Sequence, residues 1–132
     1  MVELGGVYRL YLSYVTPPSD KFLICIAPQP QFFKINSQIN PFLERNPHLR
    51  IQQVPVERRL HGFLQYDSWL DCSEPYAVST PSAEEQLSKD PTRHIGDADP
   101  SLIRAILDVV AASRTLPERK KVSISAALKT LV

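Results

Sequence analysis

The feature that most constrains the fold is a series of short apolar runs at residues 21–26, 32–37 and 63–71. Each run is bounded by Pro, Asn, Asp or Ser, which favour turns and are poorly represented in strands. Strand-length runs with turn residues between them indicate β-structure built from short strands. The pattern is typical of a small β-barrel rather than of a classical enzyme fold.

Chain length sets the domain organisation. A chain of 132 residues has the size of one domain and can bury a core without disulfides or a structural metal. We therefore expect one domain over residues 1–132 of the α+β class, mainly β with C-terminal helices. The barrel should occupy about residues 5–78, and a helical tail about residues 80–132.

The balance of charge excludes two classes of protein. Fifteen Lys and Arg residues face 14 Asp and Glu residues, which gives a formal net charge of +1. The chain as a whole is therefore neither a polycationic nucleic-acid binder nor an acidic tail protein. Any nucleic-acid site must be a local patch.

The cysteine usage and the apolar runs indicate the compartment. Cys25 and Cys72 lie in strand-like apolar runs, where an unpaired thiol behaves as a small hydrophobic side chain. No CxxC or Cys/His spacing indicates a metal site, so we expect no metal and no cofactor. The N-terminus lacks the pattern of a secretory signal, and no run approaches the ~20 apolar residues that a membrane span needs. We expect a cytoplasmic protein with no membrane partner.

The β-region divides into five predicted strands and their connections. The strands are expected at residues 7–15, 22–27, 32–35, 51–56 and 68–71, with another near 77–78. Two prolines make residues 16–20 an exposed loop. Residues 40–50 should form an irregular connection in which Phe42 and Leu43 pack back onto the core.

The remaining segments favour helices. Residues 57–60 fit one helical turn, 81–87 a short helix, and 88–97 a polar stretch. Asp99 should cap a helix whose apolar residues recur every three or four positions. Thr115 and Glu118 match a capping box, which places a last helix over 116–131 with four apolar positions, Val122, Ile124, Leu128 and Leu131. The two last helices should form a hairpin laid on the barrel.

Several pieces of the β-region occur in an order that points to a known family. They are Gly6-Val7-Tyr8, the proline-bearing loop at 16–20, the basic residue and apolar strand at 21–26, Asn36-Ser37, and the Tyr-Asp-Ser-Trp-Leu-Asp strand at 66–71. Together they resemble the MazF/PemK-like toxins over about residues 5–78, and more weakly over the tail. Each motif by itself is short and unspecific.

The resemblance implies an SH3-like β-barrel followed by a helical hairpin. It also implies a homodimer that acts as a metal-independent endoribonuclease on single-stranded RNA and is silenced by an antitoxin protein. In the family the loop after the first strand gates the RNA groove, which makes Thr16, Ser19 and Asp20 candidate RNA-binding residues. An Arg-Pro at the second strand and a hydroxyl after the third are catalytic; the matching positions are Lys21, followed by Phe22, and Ser37.

Two departures from the family pattern bear on activity. Lys21 keeps the positive charge but lacks the planar fork that holds a phosphate through two parallel hydrogen bonds. The family's acidic residue after the first glycine is missing, since Gly6 is followed directly by Val7. The fold can therefore be shared while the nuclease activity is lost.

Metal-independent cleavage by the 2′-hydroxyl needs a base, an acid and a cation for the phosphate charge. His61 is a candidate acid or base and therefore a third catalytic candidate, while Arg58 and Arg59 are candidate phosphate-binding residues. The plainer interpretations are a surface turn residue for His61, which precedes Gly62, and a solvated face for the two arginines.

Aromatic residues of the β-region are open to two interpretations. Tyr66, Trp69 and the other aromatic side chains can stack on RNA bases. A small barrel, however, needs most of them for its core.

Three functional hypotheses stay open from the sequence. They are a toxin-like ribonuclease, a catalytically inactive barrel that binds a protein or nucleic acid, and a structural or regulatory protein of a mobile element. A groove shared by the 16–20 loop, Lys21 and Ser37 with Arg58 or His61 would favour the first. A lysine that points only to solvent would favour the second.

Overall fold

The computed structural model describes residues 1–15, 17–28, 31–77 and 80–132, with the backbone alone at 77, 80 and 81. In these ranges the strands are β1 (Gly6–Leu12), β2 (Ser19–Ala27), β3 (Gln31–Asn36), β4 (Gln53–Val56), β5 (Ser68–Ala77) and β6 (His94–Asp97). They form one antiparallel sheet in the order β4-β5-β3-β2-β1-β6. The sheet curls as a half-barrel, which confirms the expectation of an α+β fold with a barrel-like sheet.

Helices connect and cover the strands. They are α1 (Pro41–Arg45), α2 (Pro47–Arg50), α3 (Thr80–Lys89), α4 (Pro100–Ala111) and α5 (Glu118–Lys129), with single 3-10 turns at Arg58–Leu60 and Pro91–Arg93. No helix in the part of the chain that the structure describes is long and apolar enough to cross a membrane.

The sheet is buried on both faces. One face packs against α4 and α5. The buried residues of this layer are Val7, Ile24, Ile26, Phe33 and Leu70 from the sheet and Ile103, Ile106, Ile124 and Leu128 from the helices. The other face packs against α3, and the buried residues of this layer are Tyr8, Leu10, Leu12, Leu23, Cys25 and Phe32 from the sheet and Ala83 and Leu87 from the helix. Burial on both faces explains why residues 23–27 of β2 read as a continuous apolar run instead of an alternating one.

Helix α4 begins as its sequence predicts. The Asp99 carboxylate accepts a hydrogen bond of 2.9 Å from the backbone N–H of Ser101, and Pro100 occupies the first turn. The hydrogen bond from the Ser101 hydroxyl is the main cause of a lowered pKa for Asp99. A charged carboxylate at a helix N-terminus is also favoured by the helix dipole.

We expected an irregular connection at residues 40–50, and this prediction is wrong. The segment contains the short helices α1 and α2. Asn40 caps α1, its Oδ1 accepting a 3.0 Å hydrogen bond from the N–H of Leu43, and a proline opens each helix. Phe42 is 62% exposed, so its expected packing onto the core is wrong. Helices this short take their shape from caps and prolines rather than from an apolar stripe.

Strand β6 lies in the stretch that the sequence predicts to be merely polar. It pairs with β1 at the edge of the sheet, Gly6 opposite Asp97 and Tyr8 opposite His94. A short, polar strand at the edge of a sheet has few apolar residues by which the sequence could indicate it. Gly96 also lies against the Phe63 ring, whose Cδ2 would be 2.6 Å from a Cβ at that position.

Helix α5 begins later than the expected capping box. Pro117 is the N-cap residue, and the hydroxyl of Thr115 instead donates to the backbone oxygen of Ser73 at 2.7 Å. Ile124 and Leu128 are buried as expected, but Val122 and Leu131 are 61% and 41% exposed. The hairpin of α4 and α5 therefore packs on the sheet through a narrower stripe than the sequence indicates.

Both cysteines are free and buried, as predicted. Cys25 belongs to the face under α3, whereas Cys72 belongs to the face under α4 and α5. The sheet between them keeps the two thiols apart. They act as packing residues.

Burial raises the pKa of the Cys25 thiol from 9.0 to about 11, because the thiolate would lose its solvation. The folded chain therefore holds this proton more tightly than the unfolded chain, so the stabilisation is complete below pH 9 and is lost as pH rises toward 11. We expect the Cys25 thiol to account for about 2 kcal/mol of the fall in the free energy of unfolding over that interval, measured with urea. The Cys25→Ala variant should show a flatter pH dependence, and parallel curves would contradict the assignment.

Candidate functional site

A groove of about 600 Å³ opens at the end of the sheet where β2 begins and β3 ends. The segment 36–41 forms one wall and the segment 63–68 the other, and the first residues of β2 form the floor. A volume of this size is in the range of small-molecule sites and accommodates one nucleotide.

The strand register brings Lys21 and Ser37 into this groove. Phe22 pairs with Ile35, so Lys21 and Asn36 each lie one residue beyond that pair, and Ser37 follows. Lys21 is half-buried, and its ammonium forms no ion pair or hydrogen bond with the described residues. It therefore presents a positive charge to whatever enters the groove.

Uncharged hydrogen-bonding groups surround this cation. Ser37 and Gln38 are exposed on one wall, with Asn36 at the end of β3 below them, and Gln65 lies on the opposite wall. Amides can donate and accept hydrogen bonds, as the edges of nucleobases do. The sequence interpretation missed the amides, although their density after β3 is visible in the printed sequence.

Aromatic rings shape the wall formed by residues 63–68. The ring of Phe63 meets Phe22 edge to face, with centroids 6.5 Å apart, and occupies the space left by Gly96. Tyr66 stands at the rim and is 54% exposed. The wall thus has a fixed aromatic base and an exposed ring able to stack on a planar ligand.

Arg58 supports this wall from behind instead of facing the groove. Its Nε donates to the backbone oxygen of Leu64 at 3.2 Å, and its backbone N–H donates to the Asp67 carboxylate at 2.8 Å. These two hydrogen bonds hold residues 64–67 of the wall against Arg58. Arg58 is therefore a positioning residue for the groove wall.

His61 is also behind the wall and is only 2% exposed, so the expected surface position is wrong. Its Nε2 accepts a 3.0 Å hydrogen bond from the backbone N–H of Asp99, and its Nδ1 lies 2.9 Å from the backbone oxygen of Glu57. This arrangement places the ring proton on Nδ1 and occupies both nitrogens. The imidazole joins the start of α4 to the groove wall and has no nitrogen left for RNA.

Asp20 lies at the edge of the groove between two guanidinium groups. Its carboxylate is 3.6 Å from Arg9 and 3.2 Å from Arg93. These ion pairs tie β2 to β1 and to the turn before β6. They also offset a negative charge that would repel a phosphate beside Lys21.

The other predicted RNA-binding residues lie elsewhere. Arg59 is 75% exposed and pairs with Glu57 at 2.8 Å, away from the groove lining. The Ser19 hydroxyl donates to the backbone oxygen of Pro17 at 3.2 Å, which stabilises the turn before β2. Thr16 lies outside the described residues.

The assembled site offers a cation, a hydroxyl, amides and an exposed aromatic ring. Among the described residues that line it, none is a histidine. Nor do any three His, Cys, Asp or Glu side chains converge as a metal site requires in the ranges that the structure describes. The chemistry that this set of groups allows is the binding of an anionic, planar ligand and the stabilisation of negative charge on it.

We expect His61→Ala to lower the free energy of unfolding by about 2 kcal/mol, because it leaves the Asp99 N–H without its acceptor and opens a space behind the wall. Urea unfolding measures this change. The exposed His48 provides the matched control, and His48→Ala should leave stability unchanged. Equal effects of the two substitutions would refute the structural role of His61.

Comparison with known proteins finds no family model and no curated protein that matches the chain.

Proposed function

We propose that this chain is a toxin-like, metal-independent endoribonuclease of the MazF/PemK type that cuts single-stranded RNA in the Lys21–Ser37 groove. One observation carries the proposal. The two positions that the resemblance singles out, Lys21 and Ser37, line the same groove. Its volume and its amide and aromatic lining suit a nucleotide.

The proposed reaction uses the RNA's own 2′-oxygen. That oxygen attacks the adjacent phosphorus, the bond to the 5′-oxygen breaks, and the products are a 2′,3′-cyclic phosphate and a 5′-hydroxyl. Lys21 stabilises the charge that builds on the non-bridging oxygens, and the Ser37 hydroxyl donates a hydrogen bond to one of them. The 2′-proton leaves to solvent and the departing 5′-oxygen takes a proton from solvent, since both nitrogens of His61 are occupied.

The fold is compatible with this proposal. A curled antiparallel sheet with two C-terminal helices on one face is what an SH3-like barrel with a helical hairpin would present. Within the proposal, the chain works as a homodimer in the cytoplasm and is silenced by an antitoxin protein.

A second candidate function is RNA binding without cleavage, and two observations favour it. The occupied nitrogens of His61 remove the candidate acid and base from the groove. Lys21 is a point charge and cannot hold the phosphate through two parallel hydrogen bonds as an arginine does.

The deciding experiment incubates the purified protein with a long mixed-sequence RNA in EDTA. We expect cutting by the wild type, a loss of about a hundredfold in Lys21→Ala, and a loss of about tenfold in Ser37→Ala. Lys21→Arg should retain activity or raise it, since it restores the planar fork. Arg59→Ala is the matched control, because it removes a cation outside the groove and should cut at the wild-type rate.

Each outcome distinguishes the candidates. Cutting that Lys21→Ala and Ser37→Ala leave unchanged would place the activity elsewhere and refute the proposed site. RNA that binds in a Lys21-dependent way to folded protein, yet stays intact, would establish the second candidate instead.

A further inference from the structure

Trp69 lies outside the groove lining, and a row of paired strand positions connects it to Lys21. Asn36 pairs with Trp69 across β3 and β5, and Lys21 and Asn36 each lie one residue beyond the Phe22–Ile35 pair. The three side chains therefore leave the same face of three adjacent strands in one row. With about 4.8 Å between neighbouring strands, Lys21 and Trp69 are separated by about 10 Å along that row.

Arg50 covers the ring of Trp69. The guanidinium carbon lies 4.8 Å from the ring centroid, and the Arg50 Nε is 3.3 Å from the Glu44 carboxylate. The Arg50 side chain keeps 35% of its surface exposed. A guanidinium held on one side by a ring has a planar side left for a second ring.

Helix α2, which carries Arg50, is fastened to the sheet. The Gln53 side-chain amide donates to the backbone oxygen of Leu49 at 3.2 Å and to the Asp71 carboxylate at 3.0 Å. The guanidinium is thus held by its helix, by the ring below it and by Glu44. An ordered cation of this kind loses little conformational freedom on binding a ligand.

The acidic groups beside Arg50 are already engaged. Glu44 pairs with Arg50 itself, and Asp71 accepts hydrogen bonds from the Gln53 side chain and from the backbone N–H of Ser73. Internal donors therefore offset these charges. The cations Lys21 and Arg50, together with Lys34 opposite Asp71, make the potential along the row positive.

From this arrangement we propose that the Arg50–Trp69 pair is a second stacking platform, which binds a base of the same single-stranded RNA whose phosphate lies at Lys21. The choice of RNA as ligand rests on the proposed function. The strand runs across the sheet from the groove, past Asn36, to the outer side of the Arg50 guanidinium. A platform of this kind accepts any base, because every base has a π-face.

The test uses the fluorescence of Trp69, the one tryptophan of the chain. A short 2′-fluoro RNA, which has no 2′-hydroxyl to attack the phosphate, is titrated into the protein, and an abasic strand of the same length serves as control. We expect the RNA to quench the fluorescence and the abasic strand to leave it nearly unchanged. Arg50→Lys, which keeps the charge but loses the planar group, should weaken binding of the 2′-fluoro RNA about tenfold, as measured by anisotropy of a labelled strand.

A purely structural role for Arg50 predicts a different result. If the pair only fastens α2 to the sheet, Arg50→Lys will lower the urea midpoint while affinity and quenching stay at the wild-type level, and the platform is refuted. Binding that depends on Lys21 but leaves the Trp69 fluorescence unchanged also refutes it. Quenching by an RNA that the protein never cuts would support the stacking platform and refute the nuclease activity. If no strand binds, both proposals are refuted.

Discussion

The pairing of Phe22 with Ile35 is the contact on which both the core and the groove depend. It puts the apolar residues of β2 and β3 into the layers under α4 and α5 and under α3 at the same time. A shift of one residue would exchange the two faces of either strand. Because both faces are buried, such a shift is costly, and the positions of Lys21 and Asn36 just beyond the pair are fixed by the same constraint.

The groove wall at residues 63–68 depends on side-chain hydrogen bonds of Arg58 and His61 rather than on a strand. Arg58 donates to Leu64, and His61 accepts from the N–H of Asp99 at the start of α4. The absence of a Cβ at Gly96 leaves room for the Phe63 ring at the base of the wall. The groove is therefore a joint product of the sheet and of the first turn of the C-terminal hairpin.

Sequence reasoning succeeds where one local signal dominates. Continuous apolar residues indicate β2, and Asp99 before a periodic apolar pattern indicates α4. It fails where partners distant in the chain compete for the same group. The Thr115 hydroxyl matches a cap in the sequence, yet it donates to the backbone oxygen of Ser73 in β5.

In the candidate site, too, some residues can be predicted from the sequence and others depend on partners distant in the chain. The family resemblance indicates Lys21 and Ser37, and the register explains why both line the groove. The burial of His61 was not predictable, since a histidine before a glycine reads as a turn residue, and only the tertiary structure supplies Asp99 as its donor. Arg50 and Trp69 lie on separate elements, so no spacing in the sequence indicates that they touch.

These arrangements limit how the proposed nuclease can accelerate its reaction. General acid and base catalysis contributes roughly 10²–10⁴-fold in enzymes that use it, and the described residues that line the groove include no imidazole to supply it. The remaining sources are the charge of Lys21 and the positioning of the 2′-oxygen in line with the phosphorus. Positioning requires that the nucleotides on either side be held, because a flexible strand seldom has the in-line geometry. A stacking platform at Arg50 and Trp69 would hold such a neighbouring nucleotide, so on this fold tight binding of the strand and cleavage of the strand would depend on the same contacts.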